Sequence, residues 1–310
     1  MKPPKFKYRG FGLNIGSDIE FPELFSHDFE QEDVRVEAGP IEDRLFDDIA
    51  QGSHFQQIDP GVFKCQIPDT GRFLAKDGNL IRIERWSEAD PVGFRMYTLT
   101  VAFSACLAQR NWLLLHASAV NLGGSVFLIA GSSGAGKSTM LSHLIQRGLR
   151  FFSDDVCVLD GRKDMHDRWL ASSSYPILKL DEPSLIRFFP HSDRFKLWRD
   201  SEKYGARFHD QFEASALPIV GIAIIARDSN IHQIQVEQME GIRAFEKLAT
   251  CTYRPGFINS TLQQSTHARL VSGLAGDAPI YQLRRPDKQD DGDDLVKVLE
   301  TLMNSANKNH

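Results

Sequence analysis

The sequence is expected to carry neither a secretory signal nor an apolar helix that crosses a bilayer. Its first residues, Met1-Lys2-Pro3-Pro4-Lys5-Phe6-Lys7-Tyr8-Arg9, are basic but run into mixed polar sequence, not into the apolar stretch of a secretory signal. No apolar run reaches the length that spans hydrocarbon. Cysteine is scarce. Cys65, Cys106, Cys157 and Cys251 stand far apart with no Cys-x-x-Cys spacing, which argues against a zinc site and against a disulfide framework. Excess positive charge is missing too: the formal net charge is −5, so no electrostatic footprint for nucleic acid exists. Nor is there an internal repeat. These absences lead to the expectation of a cytoplasmic protein with reduced thiols and neither a membrane nor a nucleic-acid partner.

What is present is an ordinary globular composition, 42% hydrophobic and 25% charged over 310 residues, a length that suits about two domains. Residues 1–90 read as a small β-rich domain. Phe11-Gly12-Leu13-Asn14-Ile15, Val34-Arg35-Val36-Glu37, Gly61 to Ile67 and Gly71 to Ala75 alternate apolar with polar residues. Asp77-Gly78 supplies the positive φ of a hairpin leading into Asn79 to Arg85. Residues 91–310 are expected to form the second domain. It opens on a helix over Pro91 to Arg110, whose stripes Phe94, Tyr97, Val101 and Ala108, and Met96, Leu99, Phe103 and Leu107, fit packing on the following sheet.

The second domain turns on one stretch. Val126-Phe127-Leu128-Ile129-Ala130 has strand character, and Gly131-Ser132-Ser133-Gly134-Ala135-Gly136-Lys137-Ser138-Thr139 fits G-x-x-x-x-G-K-[ST]. Met140 to Gln146 continues with helical spacing, and Gly148 sits just past its end. Strand, glycine-rich turn and helix in that order form a phosphate loop. The glycines let successive N–H groups fold around an anion, and the helix N-terminus adds its partial positive charge. Lys137 is expected between the β- and γ-phosphates of a nucleoside triphosphate, and the Ser138 hydroxyl on Mg²⁺.

Trp112 to Val120 reads as a strand that Gly123-Gly124 turns back into the Val126 strand, setting His116 beside the loop. After the loop helix, Leu149 to Gly161 gives two short strand segments around Asp154-Asp155. Adjacent residues of a strand face opposite sides, so both acids serve one site only if the strand ends there. Asp154 is the expected base for an acceptor hydroxyl and Asp155 the expected metal ligand, with exchange of the two roles left open. A lone histidine such as His116 is ordinarily a core residue bonded to a carbonyl.

Later segments read as strands at Pro176 to Leu180, at Pro218 to Ala226 paired with Ile231 to Val236, and at Ile280 to Leu283. Helices are expected at Gly241 to Thr250, Leu262 to Leu274 and Asp294 to Met303. The section to about residue 217 reads as loop-rich, and Asp287 to Asp294 as an acidic linker. Within the loop-rich section, Arg194, Lys196, Arg199, Lys203 and Arg207 either supply a cation to a transferring phosphoryl group, grip a peptide, or form an exposed basic loop.

The run Leu114-Leu115-His116-Ala117-Ser118-Ala119-Val120, with Gly131 to Ser138 and Gly148-Leu149-Arg150-Phe151-Phe152-Ser153-Asp154-Asp155, resembles the catalytic domain of the HPr serine kinase/phosphorylase family. The resemblance implies an α/β P-loop kinase with the mixed sheet shared with phosphoenolpyruvate carboxykinase, ATP and Mg²⁺ as cofactors, and a serine hydroxyl on a peptide or protein as acceptor. It also implies that His116 assists the acid pair, with Lys137 the third catalytic residue. The HPr branch forms hexamers, so a homo-oligomer is within the implied range. The N-terminal part, with Gly12-Leu13-Asn14-Ile15-Gly16-Ser17-Asp18-Ile19, is more similar to the tailoring kinases of lasso-peptide clusters. The Glu-x-Arg-Gly signature tied to phosphorylase activity is not found, and Lys179 is the nearest basic residue in a comparable strand. Two other functions compete with the peptide kinase: a small-metabolite kinase on the same machinery, and a nucleotide-binding regulatory module that transfers nothing.

Overall fold

The structure is a computed structural model that describes residues 3–46, 54–59, 61–286 and 292–308. Most of the expected acidic linker, at 287–291, lies outside the described residues, as do Met1 and Lys2. Among the described residues the architecture is mixed α/β, with strands in three sheets.

The first sheet takes eight strands from the N-terminal part: β1 (Phe6–Gly10), β2 (Leu13–Ser17), β3 (Phe25–Ser26), β4 (Val34–Ala38), β5 (Phe55–Asp59), β6 (Val62–Ile67), β7 (Gly71–Lys76) and β8 (Leu80–Arg85). Their order is β3-β1-β2-β4-β8-β7-β6-β5. Asp77 and Gly78 both take positive φ, 51° and 69°, in the connection that closes the β7–β8 hairpin. Alternation in this sheet buries Phe63, Cys65, Phe73, Ala75, Ile81 and Ile83 on one face.

That face is covered by α1 (Pro91–Tyr97) and α2 (Phe103–Gln109), joined by a π-helical stretch at Thr98–Ala102. Asp90 starts α1 by accepting from the N–H groups of Val92 and Gly93. Phe94, Met96, Leu99, Phe103 and Leu107 share one core with the first sheet. The helix therefore packs mainly on the sheet before it, not the one after it, because the preceding sheet offers a ready apolar face.

The nine-stranded central sheet comprises β9 (Leu113–Leu115), β10 (Ala117–Asn121), β11 (Val126–Gly131), β12 (Arg150–Ser153), β13 (Cys157–Leu159), β14 (Leu170–Ser173), β18 (Leu217–Arg227), β19 (Gln235–Met239) and β20 (Ile280–Arg285). β11 is buried throughout, antiparallel to β10 on one edge and parallel to β18 on the other. Such a strand reads as a continuous apolar run because both its faces are covered. Val126, Leu128 and Ala130 face a core shared with α5 (Gly241–Ala249) and α6 (Thr261–Asp277). Phe127 and Ile129 face the opposite core, with α3 (Lys137–Gln146), α4 (Glu182–Phe188) and α7 (Gly292–Lys308).

Two expectations differ here. β18 has β11 and β20 along its edges, both parallel, so the segment after it cannot return as a hairpin partner; β19 pairs with β20 instead. The section read as loop-rich contains α4 and, with β15 (Ile177–Asp181), a third sheet in which β17 (Lys203–Arg207) lies between β15 and β16 (Arg194–Lys196). No helix among the described residues is long and apolar enough to cross a membrane.

Candidate active site

β11 delivers its carboxyl end to a turn that only particular backbones allow. A Cβ on Gly131, at φ 147°, would stand 2.5 Å from the Ile225 carbonyl oxygen of β18. Gly134 and Gly136 take φ of 78° and 99°, and Gly136 is the N-cap of α3. The Lys137 side chain folds back over the turn, Nζ donating to the carbonyls of Gly131 at 2.9 Å and Ser132 at 2.8 Å. Burial lowers the Lys137 pKa, opposed by Asp154 and Asp155.

The acids reach this turn because β12 stops in front of them. β12 ends at Ser153, Asp155 takes φ 71°, and β13 begins at Cys157, so strand alternation does not hold across the pair. Asp154 is fully buried. Its Oδ1 accepts from the hydroxyls of Ser118 at 2.6 Å and Ser138 at 2.9 Å, and its Oδ2 from the Lys179 N–H at 2.9 Å. Asp155 turns the other way. Its Oδ2 accepts from Lys179 Nζ at 2.7 Å and the Tyr253 hydroxyl at 3.2 Å, and its Oδ1 lies 3.7 Å from His116 Nε2. Burial would raise the Asp155 pKa, but the Lys179 ammonium, with His116 and Tyr253, holds it well below the usual carboxylate range. Lys179 responds in kind: burial opposes its charge, and Asp155 keeps it firmly protonated.

His116 sits at the break between β9 and β10, where the expected continuous strand divides. Its N–H donates to the Cys251 carbonyl at 2.7 Å, and its ring meets Tyr253 edge-on at 5.7 Å. Burial lowers its pKa, Lys137 adds to that, and Asp155 opposes it. The ring is therefore harder to protonate than a free imidazole.

These groups line one cavity of about 230 Å³: His116, Lys137, Ser138, Asp154, Asp155 and Lys179, with Ser133, Gly134, Gly136 and Thr139 of the turn and Lys203 of β17. Ser132 and Ala135 complete the turn, where the Ala135 N–H donates to the Ser132 carbonyl at 3.3 Å. Two hard oxygen donors, Ser138 Oγ and Asp154 Oδ1, meet at the helix start. That set suits Mg²⁺, which takes one or two protein ligands and completes its shell with phosphates and water.

No family model matches the chain, and no curated protein matches it. A similar solved structure is the HPr(Ser) kinase/phosphatase from Coxiella burnetii. It is 12% identical with a TM-score of 0.34, over 63% of this chain and 91% of that one.

Ser118 and Tyr253 belong to the site although the sequence did not single them out for it. Ser118 had a signal, standing two residues past His116 on the strand that borders the loop. Tyr253 had none. It arrives through α5 and the bridge between Leu115 and Thr252, more than a hundred residues from His116. Arg194 and Lys196 lie on the outer strand of the third sheet and do not line the cavity; Lys203 does.

Proposed function

We propose that the chain is an ATP- and Mg²⁺-dependent phosphotransferase that moves the γ-phosphoryl group to a serine or similar hydroxyl on a peptide or protein. The observation that carries this reading is the shared cavity: a glycine-rich phosphate-loop turn on one wall, and on the other the Asp155 carboxylate 3.7 Å from the His116 imidazole. A module that only bound nucleotide would need no such acceptor pair.

The N–H groups of 132–139 and the α3 N-terminus hold the polyphosphate, and Lys137 leaves the loop carbonyls to meet it. Ser138 and Asp154 would hold Mg²⁺, which supplies neutralising charge to the β- and γ-oxygens. Asp154 thereby takes the metal role first expected of Asp155, because its Oδ1 already accepts from the Ser138 hydroxyl, and the base role first expected of Asp154 passes to His116. Asp155, pinned by Lys179, orients the acceptor hydroxyl. The acceptor oxygen bonds to the γ-phosphorus as the bond to the β–γ bridging oxygen breaks, ADP departs with that electron pair, and the hydroxyl proton passes to His116. The transition state is loose, so late proton transfer to a weak base suffices.

Lys203 supplies a further cation. It makes no ion pair among the described residues, and its charge is felt at both His116 and Lys137, so it is free to meet the equatorial oxygens of the moving phosphoryl group.

The test is incubation with Mg-ATP and hydroxyl-bearing peptides, lasso-precursor sequences among them, followed by intact mass. A gain of one phosphoryl group on a serine supports the reading. Nucleotide binding without transfer to any peptide or protein removes it.

A further inference from the structure

A second cavity opens on the far side of the phosphate loop. It encloses about 170 Å³ and is lined by Met140, His143, Arg187, Arg285 and Asp293. Gly136, Thr139 and Arg227 line both cavities. The partition has a direction. His116, Asp155, Lys179 and Lys203 border the first cavity, whereas His143, Arg187 and Arg285 border the second.

We infer that this second cavity seats the nucleoside of the triphosphate, with the α-phosphate passing over Thr139 between Arg227 and Arg285. The inference rests on the kinase reading and fixes which way the nucleotide lies. If the terminal phosphates sit at Lys137 and Ser138, facing the acceptor groups, the rest of the molecule leaves by the other end of the loop. Thr139 and His143 are four residues apart on α3, so they share a flank of that helix and mark the exit path. Arg285 is already against the loop, since a Cβ on Gly136 would lie 3.0 Å from its Nη1.

The walls suit a flat aromatic ring. The His143 ring packs edge-on against Phe188 at 4.6 Å, and the Arg187 guanidinium lies over the same phenyl ring at 5.3 Å. Imidazole and guanidinium planes both stack on π-faces, and Arg187 is exposed and free to turn onto one.

Calorimetric titration of the whole chain with Mg-ATP and with Mg-tripolyphosphate tests this. Arg187→Ala and His143→Ala are each expected to weaken Mg-ATP about tenfold while leaving tripolyphosphate affinity unchanged, because only ATP carries a base to stack. Unchanged ATP affinity in both variants overturns the inference, as does an equal loss for both ligands. Wild type that binds neither ligand fails one step earlier, at the phosphate loop itself.

Discussion

If phosphoryl transfer runs as proposed, protonating His116 removes the imidazole base that stands beside Asp155, and the acid side of the rate profile reports on it. Its folded pKa is lowered by burial below the ordinary value of about 6.5. The acid limb of kcat/KM is therefore expected at a midpoint under that value. His116→Gln should lose the limb and run about 10²-fold slower. A midpoint above the ordinary value, or a limb that survives the substitution, excludes His116 as proton acceptor. The same shift acts on stability: as pH falls through about 6.5 the unfolded chain binds this proton first, so folding weakens until the folded ring titrates too. Asp154 makes a different demand. Ser118, Ser138 and the Lys179 N–H all donate to it, and Asp154→Asn replaces one acceptor oxygen with a donor. About 1–3 kcal/mol of stability should go with the lost partner, and nucleotide affinity should lose its Mg²⁺ dependence. Retention of that dependence in a folded variant would return the metal role to Asp155. For Lys203→Ala the expected signature is a kcat lower by about 10²-fold with Mg-ATP affinity nearly unchanged, measured by steady-state rates and calorimetry.

Elements fix how these residues meet, and here the sequence was legible in some places and opaque in others. Val126 to Thr139 announced strand, turn and helix through composition alone, and the two glycines after Asn121 announced the β10–β11 hairpin. The position of Lys179 was not legible, because it depends on β15 belonging to a sheet of its own, whose Leu178 and Leu180 pack in one core with Phe151 of β12 and whose Lys179 N–H donates to Asp154 just past the end of β12. Nor was the neighbour of β18, since parallel pairing across long crossovers leaves no local signal. The part-buried pair Lys179–Asp155 ties the third sheet to the acid turn. Lys179→Met strips the counter-ion from a largely buried carboxylate. It should lower stability by about 3 kcal/mol in denaturant titration, and turnover should fall with it. Stability equal to wild type would mean that Asp155 does not need the ammonium.

At the scale of the molecule, the question is whether the first sheet is a separate body. A division at residue 90 cuts through one shared core: Phe11 stacks on Phe103 at 4.8 Å, and Leu114, Val156, Tyr175 and Ile177 lie in the same cluster as Phe63 and Phe73. The contact reaches the site's own scaffold, since the Phe11 N–H donates at 2.8 Å to the carbonyl of Ser174, whose hydroxyl pairs with Ser153 at the end of β12. We propose that the two parts fold together, and that the sheet exists to cover α1 and α2 and brace the acid turn. A chain of residues 91–310 alone would expose Phe94, Met96, Leu99 and Phe103, an apolar face that water does not tolerate. It should aggregate, or bind a hydrophobic dye without a cooperative melt, while the full chain melts in one transition. A truncated chain that stays monomeric, melts cooperatively and binds Mg-ATP as the full chain does would restore two independent domains and leave the sheet free for another task.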